Sequence, residues 1–140
     1  MRRRALTISL LASSALAVAC SSQQTGSSES PRAVTTANSD SSALARLYDE
    51  VRTLAHSEGC SAAAECRVAP VGAKGCGGPK YYIAYCARTT DSAALFRKLG
   101  ELETAEKAYN RAHNVISDCS MLVAPQPRMT AGRCTLATAP

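Results

Sequence analysis

The stretch CSAAAECRVAPVGAKGCGGPKYYIAYC, residues 60–86, carries four of the chain's seven cysteines and decides how the rest is read. Cys66–Val71 is rich enough in apolar residues for a short strand, with Pro70 placing it at an edge or ending it early. Tyr81–Cys86 is a strand by its aromatic content, although Pro79 at a first-turn position would also permit a short helix. Between them, Gly72–Pro79 packs four glycines and one lysine into eight residues. Such a segment could wrap backbone amides around an anion, but it carries neither the P-loop pattern nor the dinucleotide fingerprint. A tight loop that lets the backbone turn around the sulfur of Cys76 accounts for the same glycines.

Outward from this stretch lie two amphipathic patterns. On the N-terminal side, Leu44, Leu47, Tyr48, Val51, Leu54 and Ala55 recur at helical spacing, predicting a helix from Ser41 to His56 with Asp40 or Ser41 as cap and Gly59 beyond its end. On the C-terminal side, Leu95, Leu99, Leu102, Ala105, Tyr109, Ala112 and Ile116 predict a longer helix over Ser92–Val115, opened by Thr90 or Asp91. Leu95, Leu102, Tyr109 and Ile116 are seven apart, but about three heptads interrupted by Gly100 favour packing on the domain's own sheet over a coiled coil. Cys119–Ala124 and Arg133–Ala137 read as two further strands, joined as a hairpin through Pro125-Gln126-Pro127 and Gly132. The expected fold class is therefore α+β, with two main helices packed on a small antiparallel sheet.

Composition says what holds this together. The chain has 140 residues, 46% hydrophobic and 19% charged, with no Trp and a single Phe, so it makes one small domain with little aromatic mass for a core. Cys60, Cys66, Cys76, Cys86, Cys119 and Cys134 could form three disulfides, and their spacing leaves all fifteen pairings open. Each bridge would contribute about 2–4 kcal/mol, so three together rival the whole stability of a small domain.

The first residues set the compartment. Met1-Arg2-Arg3-Arg4 precedes fifteen uncharged residues, Ala5 to Ala19, which end in Ala17-Val18-Ala19-Cys20. A basic start, an apolar run and a small-residue cleavage site describe a signal peptide over residues 1–19. As a helix the run would rise only about 22 Å, short of the roughly 30 Å hydrocarbon core. Leu16-Ala17-Val18-Ala19-Cys20 resembles the lipobox of bacterial lipoprotein precursors, in which the cysteine becomes the acylated first residue. It departs from the usual pattern in having Ala17 three places before Cys20. The resemblance implies lipidation at Cys20, and Ser21 after it resembles lipoproteins exported to the outer membrane. An acylated Cys20 would also leave an even six sulfurs for pairing.

Residues 20–42 complete the expected organisation as the lipidated cysteine and a Ser-rich disordered tether, because this stretch has only Val34 as a large aliphatic. The domain follows over residues 43–138. Its segment Cys60-x5-Cys66-x9-Cys76-Gly77-Gly78-Pro79, with the tyrosine-rich run, the long helix and Gly132-Arg133-Cys134, loosely resembles small cysteine-rich bacterial envelope lipoproteins without an assigned activity.

Function classes narrow accordingly. Of 16 basic residues, Arg2, Arg3 and Arg4 belong to the signal peptide, leaving 13 against 11 acidic, a net charge of about +2 that gives no reason to invoke nucleic acid. No Cys-x-x-Cys or His-x-x-x-His pair suggests a metal or redox site, no cofactor motif occurs, and neither a Gly-x-Ser-x-Gly elbow nor a Ser-x-x-Lys pair marks a nucleophile. No catalytic residue is assigned. An enzyme would need His56 or His113 beside an acid in a pocket. The expectation is a noncatalytic envelope lipoprotein, facing the periplasm or the cell surface, whose partners are the membrane through its anchor and an envelope protein or glycan. Tyr81, Tyr82, Tyr85, Lys74 and Lys80 are the candidate contact residues. The alternative is an inhibitor of an envelope protease or lysozyme, presenting the loop Gly72–Lys80.

Overall fold

The structure is a computed structural model and describes residues 31–137. The elements run α1 (Pro31–Leu54), a 3-10 turn (Ala63–Glu65), β1 (Cys66–Val71), β2 (Tyr81–Cys86), α2 (Ser92–Ala112), β3 (Pro127–Thr130) and β4 (Arg133–Leu136). The expected signal peptide, the expected lipidation site Cys20 and the expected tether up to residue 30 lie outside the described residues.

The α+β class holds: two helices, two antiparallel two-stranded sheets and three disulfides make up the domain. β1 and β2 pair in register, Cys66 opposite Cys86 and Val71 opposite Tyr81. Alternation then divides the sheet's faces. Ala69, Val71, Ile83 and Tyr85 face the helices and meet Val51, Leu95, Leu99 and Leu102 in the main core. Cys66, Ala84 and Cys86 point the other way, into a second cluster with Cys60, Cys134 and Met129. The β1–β2 sheet is thus a middle layer between the helix pair and the β3–β4 hairpin. Cys60–Cys86 ties the chain after α1 to β2, and Cys66–Cys134 ties β1 to β4.

α2 forms where its pattern predicts, with Asp91 as N-cap: its Oδ1 accepts the Ala94 amide at 3.0 Å. It stops at Ala112, so Ile116 is off the helix and 93% exposed, and the heptad seam does not exist. α1 begins at Pro31, ten residues before the expected start, and residues 31–42 of the expected disordered tether are helical instead. A proline fits the first turn of a helix. The Ser39, Ser41 and Ser42 hydroxyls donate to the carbonyls of Thr36, Asn38 and Ser39, so these polar residues are satisfied by the helix itself. Extending a helix already nucleated by the packed residues 43–54 gains one hydrogen bond for each residue ordered.

The expected strand over Cys119–Ala124 is absent, and the hairpin partner of β4 is Pro127–Thr130. Pro127 is compatible with a strand's first position. The two-residue turn Ala131-Gly132, with φ of 50° and 74°, has the positive φ pair of a type I′ connection, whose twist suits a hairpin. Cys119, at φ 50° and held by its disulfide to Cys76, is not extended, and that interrupts strand geometry where the apolar run begins.

Candidate interaction surface

The tip of the β1–β2 hairpin, residues 72–80, is fastened from below by α2. Glu106 is 1% exposed, and its carboxylate accepts the Ala73 amide at 2.5 Å and the Tyr48 hydroxyl at 2.5 Å. It also pairs with Lys80 Nζ at 2.6 Å. One turn on, Asn110 Nδ2 donates to the Ala73 carbonyl at 2.9 Å. Desolvating a carboxylate costs several kcal/mol, which these donors and the adjacent cation offset. Burial, then the hydrogen bond to Glu106 and its negative charge, hold the Tyr48 phenol well above its ordinary range. Gly72 completes the clamp: at φ +71° any Cβ would collide with the Glu106 carboxylate.

A second fastening holds the segment after α2. His113 caps the helix, its ring 4.2 Å from that of Tyr109 and its Nε2 3.4 Å from Asp40 Oδ2. The Val115 carbonyl then crosses the hairpin tip against Gly75, where a side chain would strike it. Next, Ser117 Oγ accepts the Cys76 amide at 3.2 Å, and Cys119 bonds covalently to Cys76. Lys74, with 12% of its side chain exposed, donates to Asp118 Oδ1 at 2.9 Å and to the carbonyl and hydroxyl of Ser120 at 2.9 and 2.8 Å. The Lys74 bond, with those from Ser120, lowers the Asp118 carboxyl to about 2. Tyr82 reaches further along, its hydroxyl 3.4 Å from the Leu122 carbonyl.

This loop lacks helical or strand hydrogen bonding yet is anchored at its centre, and it turns its apolar side chains outward. Ile116 and Met121 are 93% exposed and Val123 89%, with Val115 and Leu122 partly exposed beside them. Single exposed apolar residues are ordinary, but several displayed from one fastened loop make it the candidate interaction surface.

The sequence-based candidates fall elsewhere. Tyr85 is buried in the core, edge-on to Phe96. Tyr81 is 41% exposed and stacks on Tyr48, while Tyr82 supports the loop. Lys74 and Lys80 are engaged with Asp118 and Glu106, as internal fasteners rather than free cations. Ile116, Met121 and Val123 were hidden from sequence reasoning because Ile116 continues a helical period and Met121-Leu122-Val123 has strand composition.

Several clefts open on the described residues, among them one of about 310 Å³ between Gly78, Pro79, Cys119, Met121 and Leu122 and a shallow one of about 310 Å³ at Ala55, His56, Ser57 and Glu58. A cleft of about 280 Å³ lies between Pro70, Pro79, Phe96, Leu99 and Gly100. Another of about 530 Å³ includes Lys74, Lys107 and Arg111, but Asp118 pairs with the first and Glu103 with the second. A further one, of about 280 Å³, contains Asp40 beside alanines, Leu44 and Tyr109, and no serine, threonine or cysteine lines it. His56 sits after the far end of α1, with its carbonyl accepting the Cys86 amide, so the two histidines occupy opposite ends of the helix pair. The sulfurs of Cys60, Cys66 and Cys134 lie within 4.8 Å of one another, and each is spent in a disulfide rather than available as a thiolate ligand. No helix among the described residues is long and apolar enough to cross a membrane. No family model, curated protein or solved structure matches the chain.

Proposed function

We propose that the chain is a noncatalytic lipoprotein of the bacterial outer membrane, an interaction module whose contact surface is the loop Val115–Val123. The supporting observation is the sulfur balance: the six cysteines of the domain are joined in three pairs, so Cys20 alone remains for the lipobox chemistry its sequence resembles. Disulfides of this density belong to oxidising compartments. More than one acyl chain is needed for stable anchoring, and triacylation of Cys20 would supply it. Intact-mass measurement of the native product tests the reading. The expected spectrum carries acyl mass on a chain starting at Cys20 and shows no alkylatable thiol; an unmodified chain with free thiols overturns it.

A second reading, inhibition of an envelope protease or lysozyme, is favoured by the same loop rather than by Gly72–Lys80. Met121 stands two residues after the bridged Cys119, on a backbone braced by Lys74. A segment ordered before docking loses little entropy when bound. Inhibition of an envelope hydrolase that is abolished by Met121→Asp would select this reading; absence of inhibition across proteases and lysozymes, with cleavage of the loop by them, would remove it.

A further inference from the structure

We propose that the loop Val115–Val123 rests on the bilayer that carries the chain's own anchor, its apolar side chains entering the headgroup region. This inference rests on the lipoprotein reading above and names the partner of the same surface.

The argument is one of placement. Along α1 and α2, Asp40 lies beside His113, Tyr48 beside Glu106 and Glu50 beside Lys98, so the helices are antiparallel. α1 therefore starts at the end of the domain where α2 finishes. The loop leaves α2 at that same end and crosses the hairpin tip, where Val115 meets Gly75 and Cys119 bonds Cys76. The 30 residues that precede Pro31 join the domain through the first turns of α1, from this side. Cys20 is eleven residues before Pro31, so the connecting chain spans at most about 40 Å, and the anchored surface stays within reach of the loop.

The surface suits that occupant. Ile116, Met121 and Val123 are almost fully exposed along this loop, and its backbone is already held by the Cys76–Cys119 bridge and Lys74. Apolar side chains standing on an ordered backbone can enter an interface without further ordering of the chain. By itself so small an apolar group would bind a membrane weakly. Tethering through Cys20 makes the second contact intramolecular, where even a weak contact is populated.

The chain contains no tryptophan, so Met121→Trp introduces a single fluorescent reporter at a site that packing does not constrain. Ile116→Trp is a second reporter in the same loop. Phe96→Trp, near the start of α2 and outside the loop, is the control. Each full-length mature protein is reconstituted in phosphatidylethanolamine–phosphatidylglycerol vesicles containing brominated acyl chains, after its mass has been recorded. With acylated protein, the loop reporters are expected to emit at shorter wavelength, lose intensity to the brominated lipid and resist a water-soluble quencher, while the Phe96→Trp protein does not. Acylated protein whose loop reporters stay in water overturns the inference and leaves the anchored module standing. Shielding that occurs only in vesicles made from whole envelopes, and is lost after their proteins are digested, assigns the loop to a protein partner and also overturns it. Absence of acyl mass removes the anchor and both readings with it.

Discussion

Glu106 shows how much one side chain can organise in a small domain. It collects a backbone amide and the Lys80 ammonium from the hairpin tip and a phenol from α1, joining both to α2 at one buried carboxylate. Glu106→Gln keeps the shape and loses the charge. Because Lys80 is 41% exposed and can be solvated, the expected loss of stability is about 1–3 kcal/mol, below the cost of breaking a fully buried pair. Denaturant unfolding with the disulfides intact measures it. The same variant should bring the Tyr48 phenol down toward its ordinary range, since the negative charge that helps raise it disappears while burial remains. In the native protein that phenol is raised, so the unfolded chain ionises first; stability is held below about pH 10 and falls as pH rises above it. Ultraviolet titration should show Tyr48 ionising together with unfolding. Sequence reasoning missed Glu106, although the buried residues Leu95, Leu99, Leu102, Glu106 and Asn110 recur at steps of three or four. A polar residue on an apolar stripe was the available signal, and attention to apolar types alone passes over it.

The loop after α2 is expected to depend on pH for its order. Asp118 is held to about 2, chiefly by the Lys74 hydrogen bond, and then by Ser120. A depressed carboxyl stabilises the folded loop fully above its ordinary value near 4 and loses that contribution as pH falls through about 2. Amide exchange or limited proteolysis at residues 117–123 should therefore accelerate over that window, and Asp118→Asn should show the faster behaviour already at neutral pH. The β3–β4 hairpin offers an opposite test. Ala131 occupies a left-handed position that asparagine tolerates better, so Ala131→Asn is expected to stabilise by about 0.5–1 kcal/mol, read as a higher midpoint in denaturant.

For the molecule as a whole, the bridges join cysteines 26, 68 and 43 positions apart and tie the β1–β2 hairpin to the chain after α1, to β4 and to the loop after α2. Chain-entropy arithmetic assigns about 4 kcal/mol to closing the Cys76–Cys119 loop alone. The main core contains only seven buried residues, two of them alanine or tyrosine, so packing cannot replace the three bridges. Reduction should abolish cooperative thermal unfolding under conditions where the oxidised protein remains folded. The double variant Cys76→Ser/Cys119→Ser should retain the helices by circular dichroism while residues 115–123 become protease-sensitive, because the other two bridges lie in the separate sulfur cluster.

Periodicity and local turn chemistry sufficed for the start and body of α2, for β1 and for β4, through a capping aspartate and an apolar rhythm, while Tyr81–Cys86 was open to a short helix until its pairing with β1 made it a strand. The even count of six domain cysteines likewise needed no coordinates. Their partners did, because Cys60 meets Cys86 and Cys66 meets Cys134 only once the sheet, the α1 exit and the second hairpin are stacked. Met121-Leu122-Val123 has the composition of a strand, and the disulfide at Cys119 with the Lys74 network makes it an exposed loop. Local composition records what a segment can form by itself, whereas which side chains remain in water is decided by the cross-links and long-range contacts around it.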